Sequence, residues 1–409
     1  MNGAFHMRSI QTNPSFTRRT LLLGMVGTAA AQLTGCGGGG SDVASLSSGG
    51  TGSFTSGTIS GLGSIIVNGI RYNDDTATLL SRDDGTSFGD TLKVGMVVSI
   101  QGSPVTAATT ANGTATATAY RISCGSEWQG PVSNVNTSSF DMLGLTVDVL
   151  ASTVFEGAAT QLTALTTTHF VEVHGYVDQT TGHLQATRVE VSITQPTYYK
   201  LSGVVNSFSA VNHTFKLGAT SQSSSVISWD TNTTVPSTWT DGAFVRVKMT
   251  PLLLATQIRL LTSPLAQLNA EDEHDAEIHG FISAFVSLAN FTVNGIPVDA
   301  SNANITGGTL ALGVRVEIHG AVSNGVLVAT KVETPNNTTV ASHEFEFHGT
   351  VSNLNTTTTP NTFTLRGLTF TYDNTTYIQG VTLANGVRIE IKATRTAGVW
   401  KATEIRTDE

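Results

Sequence analysis

The feature that most constrains this chain is an internal repeat, in which the sequence past residue 54 returns on itself with a period of about 70 residues. Each copy opens on a short alternating segment that meets a glycine, as in Gly57-Thr58-Ile59-Ser60, Gly130-Pro131-Val132-Ser133, Gly203-Val204-Val205-Asn206, Gly280-Phe281-Ile282-Ser283 and Gly349-Thr350-Val351-Ser352. A glycine-centred pair follows, clearest around Asn68-Gly69, Leu143-Gly144, Asn294-Gly295 and Arg366-Gly367. Such turns demand positive φ, which glycine adopts without steric cost. The third copy has only the degenerate Phe215-Lys216-Leu217-Gly218. Next comes a strict alternation such as Gly313-Val314-Arg315-Val316-Glu317-Ile318-His319, and the unit closes on segments such as Ala329-Thr330-Lys331-Val332-Glu333.

Period-two alternation with Val and Ile on one side and Arg, Glu, His and Lys on the other is the pattern of a half-buried strand with one wet face. A sheet of five or six such strands is too small to shield its own edges, so closure into a barrel is the stable solution. The expected fold is therefore all-β: about five tandem small antiparallel β-barrels, OB-like in outline, at residues 55–125, 126–196, 197–264, 274–336 and 343–409. We expect them strung like beads on short linkers, with strands shared between neighbours in one long sandwich as the alternative.

The segment Gly63-Ser64-Ile65-Ile66-Val67-Asn68-Gly69, the run Leu92-Lys93-Val94-Gly95-Met96-Val97-Val98 and the closing Ala119-Tyr120-Arg121-Ile122 resemble the bacterial domain of unknown function 5666 family, found in exported proteins and lipoproteins. The resemblance extends over residues 55–406. It implies a fold and a location, and it transfers no catalytic residue.

The first 35 residues carry Arg8, Arg18 and Arg19, no acidic residue, and an apolar run from Leu21 to Leu33. This is the anatomy of a signal peptide. Thr17-Arg18-Arg19-Thr20-Leu21-Leu22 resembles a twin-arginine export motif, and Leu33-Thr34-Gly35-Cys36 resembles a lipobox whose cysteine thiol accepts the lipid. The apolar run, about 13 residues, is short of the roughly 20 that span a bilayer. Residues 1–35 are thus expected to be removed, Cys36 to be lipidated, and residues 36–54, rich in Gly and Ser, to form a flexible tether. In a Gram-negative cell, Gly37 after the lipidated cysteine resembles the pattern that permits transfer to the outer membrane.

Charge narrows the partners. The chain has 21 Lys and Arg against 30 Asp and Glu, and only 12% of its residues are charged. Nucleic acid is excluded as a partner, because phosphate binding needs a basic footprint. Gly-x-Ser-x-Gly, phosphate-loop and Cys-x-x-Cys signatures are absent. The sequence thus points to no enzyme and no cofactor, but to a membrane-tethered binding or spacer module for envelope polysaccharide or protein. Beyond Cys36 the one other cysteine, Cys124, reads as a buried small hydrophobe.

One recurrence carries possible chemistry. Glu-x-His-Gly appears at Glu172-Val173-His174-Gly175, Glu277-Ile278-His279-Gly280, Glu317-Ile318-His319-Gly320 and Glu346-Phe347-His348-Gly349. Residues two apart on a strand share a face, so each pair offers a carboxylate and an imidazole together, a start for zinc, copper or nickel. In the fourth copy the opening and penultimate strands both carry it; paired, they would gather Glu277, His279, Glu317 and His319. Against metal stands the substitution of Ser99, Arg246 and Glu390 at equivalent places, which fits a solvated face of cross-strand pairs. The acidic run Glu271-Asp272-Glu273-His274-Asp275 reads as an exposed linker, and Trp128, Trp229, Trp239 and Trp400 as packing residues without a common repeat position.

Overall fold

A computed structural model of the chain describes residues 52–109, 113–219, 222–270, 272–335 and 344–408, all within one compact unit. Arg18, Arg19, Cys36 and the tether up to residue 51 lie outside the described residues.

In the first copy, Ser53–Leu62 pairs antiparallel with Ile65–Val67, which pairs with Ile70–Asn73. That strand runs parallel to Ala115–Cys124, which turns back through Val97–Gly102 onto the opening strand. The circuit closes. It is a five-stranded Greek-key barrel of OB type. The hairpins form where the sequence placed them: Asn68 and Gly69 have φ of 51° and 74°, Asn294 and Gly295 49° and 79°.

The same circuit recurs. Barrel 4 uses Glu273–Ser287, Asn290–Val293, Ile296–Asp299, Arg315–Ser323 and Val326–Glu333; barrel 5 uses Phe345–Thr350, Asn361–Leu365, Leu368–Tyr372, Arg388–Thr396 and Val399–Thr407. Barrel 2 spans Trp128–Pro131 to Leu184–Ser192 and barrel 3 Tyr199–Ser209 to Ala255–Leu260. Barrel 3 lacks the tight turn, and single bridges, Ser228 to Leu254 and Thr234 to Gln257, complete its closure. Inward-facing Val, Ile and Phe give barrels 1, 4 and 5 a core each, while barrels 2 and 3 share one through Trp128.

The arrangement of beads on short linkers is not what the chain adopts. Ser53–Ser56 of barrel 1 runs parallel to Asp275–Ile278 of barrel 4, and Gly61 and Leu62 pair with Glu346 and Phe347 of barrel 5. The cause is a mismatch in strand length. The second strand of barrel 1 has three residues against ten in the first, so half of the opening strand keeps an unpaired edge that another barrel fills. On the opposite edge Val97–Gly102 reaches only to Thr58, which leaves room for Glu346 beside Gly61, where a Cβ would lie 2.2 Å from the Glu346 carbonyl oxygen.

The boundary of the tether moves for the same reason. Ser53 and Phe54 are fully covered, and Phe54 sits in the core of barrel 4 beside Leu265, Leu268 and Ile278. Leu265 and Leu268 come from the short helix Pro264–Leu268 that joins barrels 3 and 4; Ser263 caps it by accepting from the Leu265 amide. Phe54→Ala should therefore cost about 3–5 kcal/mol, as for any large core truncation. The same change in a solvated tether would stay within about 0.5 kcal/mol, and chemical denaturation of the two proteins separates the cases.

Candidate functional site

In every barrel the opening strand and the penultimate strand lie side by side, antiparallel, so their outward side chains meet across the ladder. In barrel 4 the register sets Glu277 opposite His319 and His279 opposite Glu317. All four groups converge as the sequence suggested. The His279 Nε2–H donates to Glu277 Oε1 at 3.0 Å and lies 3.3 Å from Glu317 Oε1; His319 Nε2 is 3.3 Å from the same Glu317 oxygen, and its Nδ1 is 3.8 Å from Glu277 Oε2. Burial opposes the charge on His279, but its hydrogen bonds to Glu277 and Glu317 outweigh it and push the imidazole up to about 9. The bond to Glu317 likewise raises His319, and the two imidazoles hold Glu317 far below the carboxylate range. The face is half-exposed and reachable from solvent.

The other Glu-x-His copies differ. In barrel 5, His348 donates from Nε2 to Glu346 at 2.8 Å and from Nδ1 to Asp408 at 2.7 Å, and Asp408 also takes Arg71 and Arg388. That cluster is closed on itself. In barrel 2, His174 is buried, its Nδ1 has no partner among the described residues, and burial pushes it down to about 4. In barrel 3 the equivalent outward residues are Arg246 and Lys248, and in barrel 1 Ser99.

These outward faces are not the wet faces that alternation implies. His174 and Lys200 are each 2% exposed, and Arg246 and Ser99 are each 3% exposed, because neighbouring barrels cover them. The junction of barrels 1, 2 and 3 is an ion cluster that the sequence reading missed. Glu127 is buried and accepts from Arg82 at 2.7 Å, Arg246 at 2.8 Å and the Ser202 hydroxyl at 2.5 Å. Asp83 takes the other arm of Arg246 at 2.9 Å and Lys200 at 3.2 Å. Burial works against ionisation of Glu127, yet Arg82 and Arg246 hold it at about 2. A small cavity of about 30 Å³ remains where barrels 1 to 4 meet, lined by Ser99, Glu127, Tyr176, Phe244 and Ser283 among others. The sequence signal is a lysine and an arginine, Lys200 and Arg246, on paired strands of the third copy, which like the first lacks Glu-x-His.

The remaining candidates resolve into packing. Cys124 is buried with its Sγ 3.8 Å from Met96 Sδ, and desolvation pushes the thiol up to about 12. Trp128 is buried and donates to the Ser202 carbonyl at 2.8 Å; Trp400 packs on Phe345 and Phe347. Trp229 and Trp239 stand 5.1 Å apart around Phe208 in barrel 3. The acidic run is no linker from Glu273 onward, since Glu273 begins the opening strand of barrel 4 and accepts from Gln101 of barrel 1 at 3.1 Å. Among the described residues no helix is long and apolar enough to cross a membrane.

A family model described as domain of unknown function (DUF5666) matches residues 54–119, 129–190, 279–333 and 348–406. The matched segments lie in barrels 1, 2, 4 and 5 and leave out barrel 3, the copy with the degenerate turn. No curated protein matches the chain. A solved structure titled "drosophila Unr CSD456" is similar at 14% identity over 53% of this chain and 98% of that one, with a TM-score of 0.14, at which it carries no argument.

The buried junction makes stability pH-dependent. His174, faced by Glu172, Lys200, Glu190 and Glu127, stays neutral in the folded chain down to about 4 and protonates near 6.5 when unfolded. The unfolded state therefore binds more protons between those values, and stability falls as pH falls through that window. Glu127 contributes stability that is complete above its ordinary value of 4.5 and is lost towards about 2. Each group is worth on the order of 3 kcal/mol over its window. Urea titrations between about pH 7 and about pH 4 should show the first loss, and His174→Gln should flatten it.

Proposed function

As the chain belongs to the family described as domain of unknown function (DUF5666), a description that names no activity, we propose from its own architecture that it is a non-enzymatic, lipid-anchored envelope lipoprotein. Cys36 holds it to the membrane, in a Gram-negative cell the outer membrane, and the repeated β modules serve as a scaffold that presents binding surfaces to envelope polysaccharide or protein. The observation that carries the scaffold reading is the spent outer face. Polar residues that would decorate independent beads are instead buried between barrels, in ion pairs such as Glu127 with Arg82 and Arg246. Modules locked in this way keep their surfaces at fixed separations, which favours simultaneous engagement of a repeating ligand. The motif around Arg18 and Arg19 supports export of a chain already folded, which suits such long-range contacts.

Two measurements test this reading. Intact mass of the native protein should include a diacylglyceryl group on Cys36, and Cys36→Ala should move the protein from the membrane fraction to the soluble one. A Cys36→Ala protein that stays with the membrane removes the anchor. In parallel, calorimetry should give one cooperative unfolding transition for the whole described region; five separable transitions would remove the scaffold.

A further inference from the structure

Two carboxylates and two imidazoles meet on the outer face of barrel 4, with one donor atom from each of Glu277, Glu317 and His319 lying within 4.8 Å of the others and His279 Nε2 within 3.3 Å of both carboxylates. We propose that these four residues form a binding site for one divalent ion of the late first-row transition series, zinc above all. This goes beyond the scaffold reading and does not rest on it.

Position supports it first. Each Glu-His pair comes from one strand, and the two strands are held in register by their own ladder, from Glu277 opposite His319 to His279 opposite Glu317. Asn294 fixes the opening strand further by donating to the His279 carbonyl at 3.1 Å, and Thr330 donates to the His319 carbonyl at 3.1 Å. Ligands carried on rigid strands with supported backbones are placed before the ion arrives.

Charge supports it next. Among the described residues, Glu277 and Glu317 form ion pairs only with the two imidazoles and with no lysine or arginine. Barrel 5, with the comparable set Glu346, His348 and Glu390, places Arg406 3.7 Å from Glu390 and ties His348 to Asp408, which itself pairs with Arg71 and Arg388. Lys331, next to His319 on the neighbouring strand, is paired with Glu333 at 3.0 Å. A dication that displaces the protons from the two imidazoles then meets two neutral imidazoles and two carboxylates, a donor set of two negative charges.

The donor set decides which dication. Calcium and magnesium take oxygen ligands in larger numbers, whereas mixed imidazole and carboxylate donors suit zinc, nickel and copper. Side-chain exposures of 24% for His279, 16% for Glu277, 32% for His319 and 35% for Glu317 leave the ion a way in.

Isothermal titration of the full chain with zinc chloride, with calcium chloride as a second arm, tests the site. The expected result is one equivalent of zinc and no calcium at the same concentrations. Loss of one outer partner of a metal ligand already lowers affinity about 10–100-fold, so His279→Gln with His319→Gln should lower it by more than ~100-fold. His274→Gln, an exposed histidine on the same strand, should change nothing. Cobalt substitution should give the visible bands of a four-coordinate ion, absent in the double variant. If circular dichroism shows that the double variant fails to fold, Glu317→Gln alone decides, by weakening zinc without changing the fold. No zinc uptake by the parent protein, or uptake of equal affinity in whichever variant is folded, overturns the proposal.

Discussion

Glu127 cannot be covered by protein unless cations come with it, and the way barrels 1, 2 and 3 meet follows from that requirement. Taking a carboxylate out of water costs several kcal/mol, and attraction offsets this only where partners are close and the remaining lone pairs are filled. Here Arg82 arrives from barrel 1, and Arg246 and the Ser202 hydroxyl from barrel 3, all within 2.8 Å. Arg246 in turn bridges to Asp83 of barrel 1. The cluster contributes less to net stability than to selection: a different packing of the same barrels leaves a buried charge without its partner, which is strongly unfavourable.

That constraint also explains how far the sequence could be read. Strand alternation, Asn-Gly turns and the need of a small sheet to close are local, and they led to five OB-like barrels and to the gathering of Glu277, His279, Glu317 and His319. Each of those inferences needs only one copy's own residues. What stayed hidden depends on other copies. Nothing near Phe54 says that its ring fills the core of barrel 4, and nothing near His174 says that barrels on either side remove it from water. Period-two patterning separates the inside of a barrel from its outside, but it cannot separate an outside that meets water from one that meets another barrel.

The repeat makes this plain because one position is solved five ways. Serine on serine in barrel 1, with Ser56 and Ser99 hydroxyls 3.1 Å apart, allows the closest approach of neighbours. Barrel 2 buries a neutral histidine, barrel 3 supplies the cations, and barrel 5 holds its histidine between Glu346 and Asp408, with arginines on Asp408. Substitution among copies therefore does not mark a position as indifferent. It marks different duties at equivalent places.

Barrel 4 is a case in which, among the described residues, no lysine or arginine pairs with the outward carboxylates. Its opening strand is paired to barrel 1 along Asp275–Ile278, which covers one edge but leaves the outward carboxylates facing only the imidazoles beside them. Without an ion, protons shared within the cluster balance it, which is why His279 is raised while Glu317 is depressed. In barrel 3 the equivalent cations are buried against Glu127 and Asp83, and in barrel 5 Asp408 and Glu390 meet arginines. A half-exposed quartet of two carboxylates and two imidazoles, held in register by two strands and without a lysine or arginine partner among the described residues, is an outward face still open to a ligand from solution.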